Sequence, residues 1–276
     1  MSADSPDLEA YFRRIGYTGS REPTLETLRG IHLRHALTIP FENLSPLLRL
    51  PVRLDLPSLE QKLVRSGRGG YCFEQNLLLS HVLQGLGFKV TQLAARVVWN
   101  APPGLVRGRT HMLLRIDLED GPYVADVGFG GLTLTAPLRL ATDIEQATPH
   151  ETFRLTKTGD VFSMEALIQE AWKALYQFDL QPQWQPDYEI SNWYVSTHPE
   201  SHFTFVLMAA LPQPRQRAAL NNNQLTIYRA GAAPEQRVLG SPDEVRAVLR
   251  DVFGLTVPDS PELELALARL TASKAQ

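Results

Sequence analysis

Cys72-Phe73-Glu74-Gln75-Asn76-Leu77-Leu78-Leu79-Ser80-His81-Val82-Leu83-Gln84, closed by Gly85 and Gly87, divides this 276-residue chain into two textures. Phe73, Leu77, Leu78, Leu79, Val82 and Leu83 spread around every face of a helix, and a helix apolar all round is a buried one. Upstream the pattern stays helical. Leu25, Leu28, Ile31 and Ala36 fall near helical spacing behind the start signal Pro23-Thr24. Residues 38–46 form a loop broken by Pro40 and Pro46, and Pro57 suits the first turn of a short helix that carries Leu59, Leu63 and Val64 and ends near Gly67. Downstream of Gly87 the period shortens. Residues 90–99 are β-rich, and residues 111–118 and 123–127 flank Glu119-Asp120-Gly121-Pro122, a hairpin signal. Residues 153–156 and 161–164 repeat that arrangement around Thr158-Gly159-Asp160. Residues 186–198 are aromatic with an ambiguous period, while 203–211 and 224–229 read as strands. Ser241-Pro242-Asp243-Glu244 and Ser260-Pro261-Glu262 open two closing helices. The order is a helical block, then strands, then strands with terminal helices: an α+β protein rather than a βαβ alternation.

Composition narrows the function classes. With 43% hydrophobic and 21% charged residues the chain has a globular balance, and a net charge of -3 gives no basic excess for nucleic acid. The single cysteine, Cys72, excludes an intramolecular disulfide and any multi-cysteine metal site, and it fits a reducing compartment. The polar start MSADSPDLEA lacks signal-peptide character, and no apolar run approaches the roughly 18 residues that span a bilayer. The expectation is a cytoplasmic protein without a membrane or nucleic-acid partner.

Cys72 follows Arg68-Gly69-Gly70-Tyr71 and opens the buried helix, where unpaired amides and the helix dipole favour a thiolate. Gly69 and Gly70 would let the backbone approach closely and aim N–H groups at a developing oxyanion. His111 opens one strand of the expected hairpin and Asp126 ends the next; a strict two-residue turn would set His111 opposite a position near 130. A bulge or a sheared barrel would let the carboxylate reach the imidazole and complete a Cys–His–Asp relay. His32 and His35, three apart on a helix without a third metal ligand, read as solvated or capping residues, and His81 as a core histidine. No metal is implied.

Four ordered segments resemble the arylamine N-acetyltransferases of bacterial type: Ile39-Pro40-Phe41-Glu42-Asn43-Leu44, Arg68-Gly69-Gly70-Tyr71-Cys72-Phe73-Glu74-Gln75-Asn76, Thr110-His111-Met112 and Asp126-Val127-Gly128-Phe129-Gly130-Gly131. The resemblance implies a helical domain over 1–88 carrying the nucleophile, a β-barrel domain over 89–200 carrying His and Asp, and an α/β lid over 201–276, around a thiol-protease-like catalytic core. It implies no bound cofactor. Acetyl-CoA would be the co-substrate of a ping-pong reaction serving xenobiotic metabolism, with a Cys72 thioester passing acetyl to arylamines, arylhydrazines or N-hydroxyarylamines. By the same resemblance Cys72 is the nucleophile, His111 the base, Asp126 the orienting carboxylate and Arg68 a structural anchor. Thr110, Gly128, Gly130 and Gly131 would meet the coenzyme. Phe41, Tyr71, Phe129 and Phe203 would line the acceptor pocket, with Phe205 able to replace Phe203 after a small register shift. A thiol hydrolase or transglutaminase-like enzyme uses the same three residue types, and an inert binding module would need none of them together.

Overall fold

The computed structural model describes residues 5–102 and 104–272; residues 1–4, which begin the polar stretch MSADSPDLEA, Pro103 and 273–276 lie outside the described residues. Helices α1 (Leu8–Ile15), α2 (Leu25–Thr38), α3 (Leu44–Leu47), α4 (Leu56–Leu59) and α5 (Cys72–Gly85) make the first block. The Thr24 side chain accepts from the Thr27 N–H to start α2, and Asp55 does the same for Ser58 in α4. A π-helical turn, Glu60–Arg65, continues α4. Tyr11, Phe12 and Ile15 of α1, Leu28 and Ile31 of α2, and the apolar residues of α5 share one core with Met112, Leu114 and Ile116 from the neighbouring sheet.

That sheet has eight antiparallel strands: β2 (Lys89–Val97), β3 (His111–Leu118), β4 (Gly121–Ala125), β5 (Leu138–Arg139), β6 (Gln146–Ala147), β7 (Thr152–Thr158), β8 (Val161–Ile168) and β9 (Ala171–Phe178), in the order β5-β4-β3-β2-β9-β8-β7-β6. The strands curl into a nearly closed barrel. β5 pairs with β4 at one edge, and Thr142, just beyond it, bridges Leu155 of β7 near the other. A second antiparallel sheet is built from β1 (Phe41–Glu42), β10 (Met208–Gln213), β11 (Gln216–Asn221), β12 (Gln224–Arg229) and β13 (Glu235–Val238) in that spatial order. Helices α7 (Pro242–Asp251) and α8 (Pro261–Ala272) bury Val245, Leu249, Leu263 and Leu267 against it. The α+β class and its sequence of textures therefore hold. No helix among the described residues is long and apolar enough to cross a membrane.

Four local expectations change. The ambiguous stretch 186–198 is a helix, α6 (Gln185–Thr197), which faces Tyr188, Asn192, Val195 and Ser196 inward at helical spacing. Its exposed Ile190 and Trp193 masked that period in the sequence. The strand expected from 203 begins only at Met208, after a 3₁₀ turn at His202–Thr204. Asn43 sets this turn: its amide donates to the Phe203 and Val206 carbonyls and its oxygen accepts the Met208 N–H at 2.7 Å. The β3–β4 turn is Glu119-Asp120, since Leu118 faces Gly121, so it sits earlier than expected. β1 was legible only as loop. It pairs Phe41 with Ala210 and Glu42 with Ala209, so the helical block supplies the edge strand of the last sheet.

Replacing Asn43 with Ala leaves two carbonyls and an N–H without their partner. The expected loss is about 2–4 kcal/mol of stability, read as a lower urea midpoint at unchanged slope.

Candidate active site

Cys72 is the first residue of α5, and the next turn is crowded with buried polar side chains. Each has partners, as burial requires. Glu74 accepts the Tyr71 N–H at 3.1 Å and takes the Lys62 ammonium at 2.6 Å. Burial raises its pKa against the opposing pull of Lys62. Gln75 meets His35 Nε2 at 2.7 Å, and its amide donates to the carbonyls of Ile39, Pro40 and Gly70. Before the cysteine, Arg68 Nε and Nη2 both reach Glu42 Oε1, at 2.9 and 2.7 Å, and Glu42 Oε2 accepts the Leu44 N–H. Gly69 is sterically required, because a Cβ there would stand 2.1 Å from the Pro40 oxygen. Gly70 does not offer its amide to an oxyanion: that N–H donates to the Pro40 carbonyl at 3.2 Å.

The β3–β4 register places Leu114 opposite Ala125, so His111 extrapolates to a position opposite Gly128 rather than near 130. The ladder ends at Ala125, and the chain then turns Asp126 inward. Its Oδ2 lies 2.7 Å from His111 Nε2, and its Oδ1 accepts from Asn76 Nδ2 and the Gly128 N–H, both at 2.9 Å. Asn76 also binds the Met112 carbonyl and the Val127 N–H. The Cys72 thiol points toward the Thr110 carbonyl, 3.6 Å away, beside His111. With Nε2 engaged by Asp126, Nδ1 is the imidazole nitrogen left for the thiol. Burial works against charge on His111, but the Asp126 carboxylate and the Cys72 contact outweigh it and raise its pKa to about 10. Burial likewise opposes ionisation of Asp126, and the imidazolium with the Asn76 and Gly128 donors overcomes it, holding that carboxyl below its usual range.

Residues 24–261 match the N-acetyltransferase family. The Escherichia coli (strain K12) arylamine N-acetyltransferase is 44% identical over 257 residues, 93% of this chain and 91% of that one. The chain belongs to the arylamine N-acetyltransferase family. Among solved members, the Mycobacterium tuberculosis enzyme superposes with a TM-score of 0.92 at 42% identity, covering 95% of this chain and 99% of the other. The Mycobacterium marinum enzyme in complex with CoA gives 0.92 at 41% identity over 96% and 99%.

In this member of the family the expected pocket aromatics form two groups. Phe203 lies 5.4 Å from Tyr71 and 6.2 Å from Phe41, ring centre to ring centre. Phe205 is more than half exposed and lies outside this cluster. Tyr71 is fully buried and its hydroxyl donates to Asn192 of α6. Phe129 stands apart, edge-on to His111 at 5.2 Å and against Tyr176 at 5.1 Å. Within the 128–131 loop, Gly128 packs on Cys72, where a Cβ would come within 2.7 Å of its Cα. The Phe129 N–H donates to Thr133 Oγ1. Arg109 is held by Asp179, with its Nη1 at 3.2 Å. No group of three His, Cys, Asp or Glu among the described residues could hold a metal ion.

Sequence reasoning missed several supporting residues. Asn76, one helical turn after Cys72 on the same face, was the readable one. Tyr176, buried on His111 at 4.8 Å, is distant in sequence and had no local signal. His32 and His35 are not solvated: both are fully buried, His35 between Tyr11 and Gln75 and His32 against the Asp126 N–H at 3.2 Å.

Burial lowers the pKa of His32 to about 3 and of His35 to about 4. Below pH 6.5 the unfolded chain binds protons at these sites that the folded chain refuses, so stability falls as the pH drops from 7 to 5. His111 does not mask this, because its raised pKa gives a contribution fully present below 6.5 and lost only toward 10. Asp126, held low, contributes in full down to about pH 4. Urea unfolding should show a loss of about 2 kcal/mol per histidine at pH 5, and His35→Gln should remove about half of it.

Proposed function

We propose that this protein transfers the acetyl group of acetyl-CoA to an arylamine, arylhydrazine or N-hydroxyarylamine through a thioester on Cys72. Family membership supplies the reaction class. The observation that carries the rest is the buried row from the Cys72 thiol through His111 to Asp126, with the 2.7 Å His111–Asp126 contact at its end. In the first half-reaction the Cys72 thiolate attacks the acetyl carbonyl. The sulfur–carbon bond to the enzyme forms, the bond to coenzyme A breaks, and the His111 imidazolium gives its Nδ1 proton to the departing coenzyme thiolate. In the second half the acceptor nitrogen, or the hydroxyl oxygen of an N-hydroxyarylamine, attacks the acetyl-cysteine, neutral His111 takes that atom's proton, and the Cys72 thiolate leaves with the resting ion pair restored. Asp126 keeps the imidazole in one orientation and stabilises its charged form.

The half-buried Phe41 and Phe203, packed on the buried Tyr71, offer flat apolar walls that suit an aryl ring. Phe129, against His111, would close the other side of the acceptor. For the coenzyme, the CoA complex of the Mycobacterium marinum relative supports a site of the same kind here. The Gly128 and Phe129 amides are committed to Asp126 and Thr133, which leaves Gly130 and Gly131 to face the coenzyme. Gly131 borders open space and Gly130 adopts φ +80°, so the loop can present backbone to a pyrophosphate. Thr110 would meet the coenzyme from β3's approach, its carbonyl already beside the thiol. Cys72 retains only 4% of its surface, which shelters a thioester from water.

Intact-protein mass after mixing with acetyl-CoA alone should show one added acetyl group, absent in Cys72→Ala and discharged by an arylhydrazine. Coenzyme A release without a mass change would mean a thiol hydrolase, and the absence of both release and label would sink this reading. Asp126→Asn should slow acetylation by about 10³–10⁴, as loss of an orienting carboxylate does in serine proteases.

A further inference from the structure

Asp126 is anchored by its side chain and also by its backbone. Its N–H points at Nε2 of His32 on α2, 3.2 Å away, and both residues are fully buried. An N–H can only donate, so Nε2 must be an unprotonated acceptor and the ring proton must sit on Nδ1. That Nδ1 is buried with no hydrogen-bond partner among the described residues. An unsatisfied buried donor is costly, so a histidine here is a poor choice for packing alone. Among the described residues its one hydrogen bond is with the peptide group that aims the carboxylate at His111.

We propose that His32 is a positioning residue for the acetyl-transfer reaction, its neutral imidazole fixing the backbone of Asp126 and thereby the aim of the carboxylate at His111. The proposal rests on the thioester route above. The charged or titratable groups that face His32 are Asp126, which favours its protonation, and His35 on the same helix, which opposes it; burial dominates and keeps the ring neutral. Protonation at Nε2 would set a donor against the Asp126 N–H and release the carboxylate. His35 has no such link, since its two nitrogens bind Tyr11 and Gln75.

The test compares wild type with His32→Leu, which keeps bulk but has no acceptor, and His32→Gln, whose Oε1 can accept. Iodoacetamide alkylation of Cys72 is followed from pH 5 to 9, together with the rate of acetylation by acetyl-CoA. The leucine variant should move the alkylation profile to higher pH and slow acetylation about tenfold, with glutamine restoring both in part. A purely structural role would leave the profile in place, and superimposable profiles for all three proteins would overturn the proposal. Should the leucine variant not fold, ¹⁵N-histidine spectra of the wild type decide: an unprotonated Nε2 on His32 from pH 5.5 to 8 is required, and a protonated one overturns it. Failure of the thioester route itself is separate, because it would appear as unlabelled wild-type protein.

Discussion

A carboxylate cut off from water must find its counter-charge and donors inside the fold, or stay protonated. Asp126 is fully buried and finds three partners for its oxygens: the His111 imidazole, the Asn76 amide and the Gly128 N–H. Each comes from a different part of the chain. His111 opens β3, Asn76 belongs to α5 and Gly128 to the loop beyond β4. The helix that carries the thiol and the barrel that carries the imidazole are therefore pinned at one ionised group. Removing any partner would leave charge or donors stranded in a dry interior, which is far more costly than losing an exposed ion pair.

The loop ahead of Cys72 is fixed in the same way. The Arg68–Glu42 ion pair is almost wholly withdrawn from solvent, and Gln75 gathers three carbonyls from the two chain segments that meet there. Glu42 also sits on β1, the edge of the last sheet. Through Asn43 and this strand, the turn carrying Phe203 is tied to the segment just upstream of the thiol. On the far side Arg217 of β11 pairs with Glu151 and donates to the Thr133 carbonyl, which docks the same sheet against the loop following Asp126. The three segments thus share polar contacts at the site as well as apolar packing around it.

These constraints also explain why neutral histidines lie so deep in α2. Helix α2 faces the barrel loop with His32 and α5 with His35, and each supplies an acceptor or donor that an apolar side chain lacks. The arrangement exchanges acid stability for geometry at the site, because a proton taken up by the unfolded chain below pH 6.5 finds no place in the folded one.

By itself the sequence determined the α+β order, the buried helix opening at Cys72, the hairpin that brings His111 toward Asp126, and, through its four motifs, the family. Those features rest on local periods, caps and turns, whose physics acts within a few residues. Only the tertiary structure decided that residues 186–198 are helical, that β1 crosses to the last sheet, and that His32, Asn76 and Tyr176 surround the relay. A histidine reads alike in a sequence whether its helix face meets water or another layer. Its role is set by what packs on it from far along the chain, here residue 126 against residue 32, and no local pattern records that distance.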